Sequence, residues 1–117
     1  MSEKIKVYQK PTCSTCRKTL AHLKECGVEF EAVNYYEVPL TETELRKLVD
    51  QLGIPPRELL RKGEAIYREL DLGKREVSDD ELIRLMVEHP DLMQRPIVVR
   101  GERAVLARPV ENLDQLL

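Results

Sequence analysis

The chain has no surplus of positive charge, no long apolar run and few cysteines, and each shortage removes a class of function. Its 19 lysines and arginines are outnumbered by 21 acidic residues, for a net charge of -2 over 117 residues. With no basic excess to neutralise phosphates, a general nucleic-acid binder is not expected. No apolar stretch approaches the ~20 residues that span a bilayer, and the opening Met-Ser-Glu-Lys lacks the apolar segment of a signal peptide. The expectation is a cytoplasmic protein with no membrane partner. In that reducing compartment three cysteines do not make a disulfide framework. No repeat, linker or low-complexity segment interrupts the chain. A content of 42% hydrophobic and 34% charged residues is that of one ordinary domain, here residues 1–117, built round a single core.

The local patterns alternate between two periods. Lys4-Ile5-Lys6-Val7-Tyr8 alternates polar and apolar residues as a half-buried strand does, and Gln9-Lys10-Pro11-Thr12 ends it. Ser14 to Glu25 reads as a helix with Leu20 and Leu23 inward and Gly27 as its stop, and Glu29 to Asn34 as a second strand. Strand, helix and strand in this order suggest two parallel strands joined by a crossover helix. Thr41-Glu42-Thr43-Glu44 and Ser78-Asp79-Asp80-Glu81 are capping boxes. The first opens a helix striped by Leu45, Leu48, Val49 and Leu52; the second opens one bearing Leu82, Ile83, Leu85 and Met86 that stops at His89-Pro90. Between them, Arg57 to Arg61 and Ala65 to Leu70 read as short helical turns. Ile97 to Val99 and Ala104 to Leu106 form a hairpin round Arg100-Gly101-Glu102-Arg103, and Val110 to Leu117 closes the chain as a helix. The expected fold is therefore α/β: a four-stranded mixed sheet, with a helical insert at about 41–90 between a β-α-β half and a β-β-α half.

Cys13 and Cys16 sit three apart at the junction of the first strand and first helix. Such a pair can hold metal, close a disulfide or present one reactive thiolate. Metal needs a second Cys-x-x-Cys or a histidine pair, and Cys26, His22 and His89 offer no ligand-like spacing, so no metal site is expected. Two buried structural cysteines are the plain alternative. Position favours reactivity, because the free N–H groups and dipole of a helix N-terminus stabilise a thiolate at Cys13. Arg17 and Lys18 add charge nearby, and Cys16, one turn along, is a candidate resolving partner. A Cys-x-x-Cys after a strand in such a unit points to a thioredoxin-like layout. Cys26, near the other end of the helix, is read as core or incidental.

Most of the basic residues are read as solvated surface. Arg61, Arg95 and Arg108 stand out, the first in a broken helical region and the other two before Pro96 and Pro109 at strand ends. The Arg95–Pro96 bond is restricted toward extended geometry and can be cis. Three guanidinium groups about a thiolate would form an oxyanion trap, since arginine stays charged and offers a planar fork of donors. Periodicity alone does not bring them together.

Five segments taken together carry a resemblance: Val7-Tyr8-Gln9-Lys10-Pro11-Thr12-Cys13, Leu59-Leu60-Arg61-Lys62, Glu88-His89-Pro90, Gln94-Arg95-Pro96-Ile97-Val98-Val99 and Ala107-Arg108-Pro109. In order, and from about Lys4 to the C-terminus, they resemble the glutaredoxin-coupled arsenate reductase family (ArsC type). The resemblance implies a thioredoxin-like fold with a helical insert, Cys13 as nucleophile, Arg61, Arg95 and Arg108 as oxyanion ligands, and a cis bond before Pro96. It implies arsenate as substrate, no bound cofactor, and glutathione with glutaredoxin as electron donor; thioredoxin is the alternative donor. Two departures accompany it. Gln9 stands where the family's reductases carry histidine, and Cys16 where they carry no second cysteine. A Cys-x-x-Cys here is more typical of the Spx-type branch, redox-sensing regulators that bind RNA polymerase. That regulator and a general thiol–disulfide oxidoreductase are the two competing readings.

Overall fold

The computed structural model describes residues 4–108 and 110–117; Pro109 of the fifth segment lies outside the described residues. The chain divides into two units, residues 1–38 with 95–117 and residues 39–94.

The first unit holds the sheet. Strands β1 (Ile5–Gln9), β2 (Phe30–Asn34), β3 (Ile97–Arg100) and β4 (Arg103–Leu106) lie in the order β2-β1-β3-β4. The crossover helix α1 (Ser14–Glu25) leaves β1 and β2 parallel, in a register that sets Gln9 against Asn34. The hairpin makes β3 antiparallel to both β1 and β4, with Tyr8 opposite Ile97 and Ile97 opposite Leu106. This is the mixed, thioredoxin-like sheet that the sequence leads one to expect. Alternation along β1 buries Ile5, Val7 and Gln9. Ile5 and Val7 pack with Leu23, Val98, Ala107, Leu113 and Leu116, and Leu20 is only partly buried against that cluster. Strand β1 runs one residue further than its pattern suggests, because Gln9 still pairs with β2.

The last segment departs from expectation. Val110–Gln115 is a 3₁₀ helix, not an α-helix. Leu113 and Leu116 are both buried, and three residues per turn bring that spacing to one face. Arg100 Nη1 donates to the Leu116 carbonyl at 2.6 Å and ties the segment to the hairpin.

The second unit is helical: α2 (Glu42–Leu52), α3 (Ala65–Glu69) and α4 (Asp79–Glu88), with 3₁₀ turns at Pro56–Leu59 and Pro90–Leu92. Both expected N-caps form, the Thr41–Glu44 pair as a reciprocal capping box and Ser78 through its hydroxyl to the Glu81 N–H. The apolar stripes bury Leu45, Leu48 and Val49 from α2 and Leu82, Ile83 and Met86 from α4. Leu60 pairs with Met93 in a single antiparallel bridge, flanked by Arg61 N–H to Leu92 O at 2.7 Å and Gln94 N–H to Leu59 O at 2.8 Å.

Candidate active site

One end of the sheet gathers most of the residues singled out above. Strands β1, β2 and β4 run toward that end and β3 starts from it, as the registers require. The loop to Cys13, the segment after Asn34, the Arg95–Pro96 step and Arg108 therefore leave the sheet on the same side. The Arg95–Pro96 bond is cis, and the Ala107 N–H donates to the Pro96 carbonyl at 3.0 Å.

Cys13 is the N-cap of α1, with extended φ and ψ of -81° and 124°. Its N–H donates to Lys10 O at 3.0 Å, and its carbonyl accepts from Arg17 N–H at 3.1 Å, which fixes the turn into the helix. The sulfur takes the role usually filled by a Ser or Asp oxygen, accepting from the Cys16 N–H at 3.4 Å. Cys13 and Cys16 are both reduced thiols. Burial alone would raise the Cys13 pKa. The Cys16 N–H and thiol, the Arg95 charge and the Thr15 N–H together outweigh it and hold the thiol below its ordinary value of 9.0. Cys16 behaves in the opposite way. Burial first, then the hydrogen bond to Cys13 and repulsion from its thiolate, push Cys16 up to about 11, against the N–H of Lys10 and the charge of Arg95. The surroundings favour the thiolate at Cys13 and the protonated thiol at Cys16.

Arg95 is only 6% exposed. Burial works against its charge, but Tyr35, Tyr36 and the Cys13 sulfur more than offset it and hold the guanidinium protonated. Arg108 is exposed and reaches Arg95, donating from Nη1 to the Arg95 carbonyl at 3.3 Å. The structure thus brings Arg95 and Arg108 together and sets the Arg95 charge against Cys13. Arg17 and Lys18 are exposed, and the cationic side chain that acts on the thiol is Arg95. Arg61 belongs to the second unit, where Nε pairs with Glu64 at 3.1 Å. Cys26 is exposed, with its sulfur 3.8 Å from His22 Nε2, and is no part of the core.

Gln9, the departure noted above, is 6% exposed, and its Oε1 is buried with no hydrogen-bond partner among the described residues. Two further groups escaped the sequence reading. Tyr35 and Tyr36 stack with ring centroids 5.0 Å apart, and Lys10 Nζ lies 4.8 Å from the centre of the Tyr36 ring. A scarcity signal was available: the chain has four tyrosines, one phenylalanine and no tryptophan, and two of those tyrosines are adjacent at the end of a strand. Among the described residues, no cluster of three or more His, Cys, Asp or Glu could hold a metal, and no helix is long and apolar enough to cross a membrane.

Comparison with known proteins bears on this geometry. The model of the ArsC family matches residues 8–116. The chain is 43% identical over 118 residues to the uncharacterized protein YfgD of Escherichia coli (strain K12), covering 100% of this chain and 99% of that one. It is 42% identical over 113 residues to the arsenate reductase of the same strain, covering 97% of this chain and 80% of the reductase. The solved arsenate reductase from Vibrio cholerae superposes with a TM-score of 0.94 at 38% identity, covering 100% of both chains.

Proposed function

Because the chain belongs to the ArsC family, we propose that it is a thiol-dependent oxidoreductase that reduces arsenate to arsenite. The observation that carries this reading is a cysteine sulfur at a helix N-cap, held below its ordinary pKa beside a buried arginine. In the proposed reaction the Cys13 thiolate attacks arsenic, a sulfur–arsenic bond forms, and an oxygen leaves as water. The N–H groups of Thr15 and Cys16 and the guanidinium groups of Arg95 and Arg108 take up the charge on the remaining oxygens. Arg61 is the third ligand that the family resemblance implies, and its part rests on that resemblance. Glutathione then attacks the adduct. The sulfur–arsenic bond breaks with its electron pair left on arsenic, which falls from As(V) to As(III). Two thiols become one disulfide, which glutaredoxin reduces, so no bound cofactor is needed. Cys16 is the internal candidate for the second thiol, in which case thioredoxin or glutaredoxin would reduce a Cys13–Cys16 disulfide.

The test is arsenate-dependent NADPH oxidation by the purified protein with glutathione, glutaredoxin and glutathione reductase, run beside thioredoxin and its reductase. Turnover is expected with one of the two donors and is absent in Cys13→Ser. Arg95→Ala and Arg108→Ala each remove a charge-assisted contact, and loss of ~2–4 kcal/mol of transition-state stabilisation lowers turnover by roughly 30- to 10³-fold. Unchanged turnover in both variants would contradict the oxyanion site. The closely spaced Cys13–Cys16 pair, at a spacing that allows a disulfide, favours one competitor, a redox-switched regulator. Absence of turnover with either donor, together with RNA polymerase binding that changes on oxidation, would support it.

A further inference from the structure

We propose that Arg17 is a specificity-determining residue for the thiol donor, its guanidinium taking a carboxylate of an anionic, glutathione-class thiol as that thiol reaches Cys13. The inference rests on the reading of Cys13 as the reacting sulfur and deepens the donor half of the proposed reaction.

Helix α1 places Arg17 through its backbone. The Arg17 N–H donates to the Cys13 carbonyl at 3.1 Å and closes the first helical turn on the N-cap. Residues four apart share a helix face, and helical side chains lean toward the N-terminus, here toward Cys13. Lys18, one residue on, is turned about 100° round the helix from Arg17. Cys13 is half-buried and Arg17 is exposed, so both are open to solvent.

The neighbouring cations are already engaged. Arg95 is buried, Arg108 donates to the Arg95 carbonyl at 3.3 Å, and Lys10 lies over the Tyr36 ring. Among the described residues, no ion pair or hydrogen bond holds the Arg17 side chain. Its charge also works against its own helix, because a cation near a helix N-terminus opposes the dipole. The longer helices of the second unit obey that rule, α2 with Glu42 and Glu44 in its first turn and α4 with Asp79, Asp80 and Glu81. Helix α1 has no acid in its first turn and follows it with Arg17 and Lys18. A local rule broken beside a reacting sulfur points to binding.

The donor step supplies the ligand. A thiol must approach the Cys13 adduct, and glutathione carries two carboxylates. A guanidinium fork matches a carboxylate, and an exposed pair is weak enough for a donor that must leave again. A neutral thiol gains nothing from Arg17.

The experiment reacts Cys13 with two disulfides: glutathione disulfide, which is anionic, and hydroxyethyl disulfide, which is neutral. The Cys13 thiolate attacks one sulfur, a new S–S bond forms, the old one breaks and a thiolate leaves. Cys13 is oxidised and half of the disulfide is reduced. The rate is read as loss of reduced Cys13, by an iodoacetamide stop and peptide mass spectrometry, so later closure by Cys16 does not alter it. The ratio of the two rate constants cancels the thiolate fraction and needs no arsenate. At low ionic strength Arg17→Gln should lower that ratio by about three- to fivefold, the scale of one exposed ion pair. Arg17→Lys, which keeps the charge, should retain most of it, and salt should shrink the difference. The melting temperature should not fall, since the lost charge opposed the dipole. Lys24→Gln, about 16 Å along the helix from Cys13, should leave the ratio unchanged. An unmoved ratio in Arg17→Gln, an equal fall in Lys24→Gln, or a fall that high salt does not reduce would each overturn the proposal. If Cys13 exchanges with the neutral disulfide but the wild-type protein turns over no arsenate, the activity reading fails by itself and the ratio still decides the role of Arg17.

Discussion

Two cysteines one helical turn apart are given opposite characters by their positions. Cys13 caps α1 and receives backbone donors, whereas Cys16 is 0% exposed and lies behind it. Only the thiolate alkylates, so Cys13 should react with a midpoint below 9.0, and Cys16 should stay silent until the pH approaches about 11. Peptide mapping after timed iodoacetamide treatment checks both, and early modification of Cys16 in the folded protein would contradict this arrangement. The two shifts also act on stability with opposite sign. For Cys13 the folded pKa is depressed, so its contribution is present above the unfolded value and is lost as pH falls through the folded one. For Cys16 the folded pKa is raised, so its contribution is complete below the unfolded value and is lost as pH rises from about 9 toward about 11. Cys16→Ala should remove that alkaline loss, as read from urea midpoints across the window.

The elements place these residues through caps and registers more than through intrinsic propensity. Helix α2 shows how local such control is. Thr41 Oγ1 accepts from the Glu44 N–H at 3.1 Å, Glu44 Oε1 accepts from the Thr41 N–H at 3.2 Å, and Gly53 ends the helix at φ +71°. Thr41→Ala should destabilise the protein by about 1 kcal/mol. Gly53→Ala should do so by a similar ~1 kcal/mol, by backbone strain alone, since a Cβ there meets nothing within 4 Å. Denaturant unfolding with unchanged m-values measures both. Neither substitution should alter the Cys13 alkylation profile, because a cap sets the stability of its own helix.

At the scale of the whole molecule, an acidic chain with a net charge of -2 is proposed to bind an oxyanion, so the attraction must be local. A buried Arg95 beside a helix N-terminus meets that need without a basic surface. Binding to the folded state alone stabilises it by mass action, by about 2.7 kcal/mol at 100 times the Kd. For a domain of this size that raises the melting temperature by on the order of 10 °C. Thermal unfolding with increasing arsenate should show this rise in the wild-type protein, and Arg95→Ala should abolish it. A melting temperature indifferent to arsenate at every concentration would argue against the site.

Much of this molecule could be read from the chain alone because the responsible physics is local. The alternation in β1 and β2, the boxes at Thr41 and Ser78, and the Cys-x-x-Cys at a strand–helix junction act within a few residues. They suffice for the element order, the helical insert and the placing of Cys13 at a helix N-cap. The five ordered segments supplied the family. The failures are where a distant partner chooses: Gln9 remains in its strand because Asn34 pairs with it, and Val110–Gln115 winds as 3₁₀. Only the folded sheet decided that Arg95 is buried, that Arg108 reaches its carbonyl, and that Tyr35 and Tyr36 offset the burial of its charge. Arg108 lies 13 positions beyond Arg95, and the two tyrosines lie about sixty positions before it. Burial and charge pairing depend on distance in space, which no local period encodes.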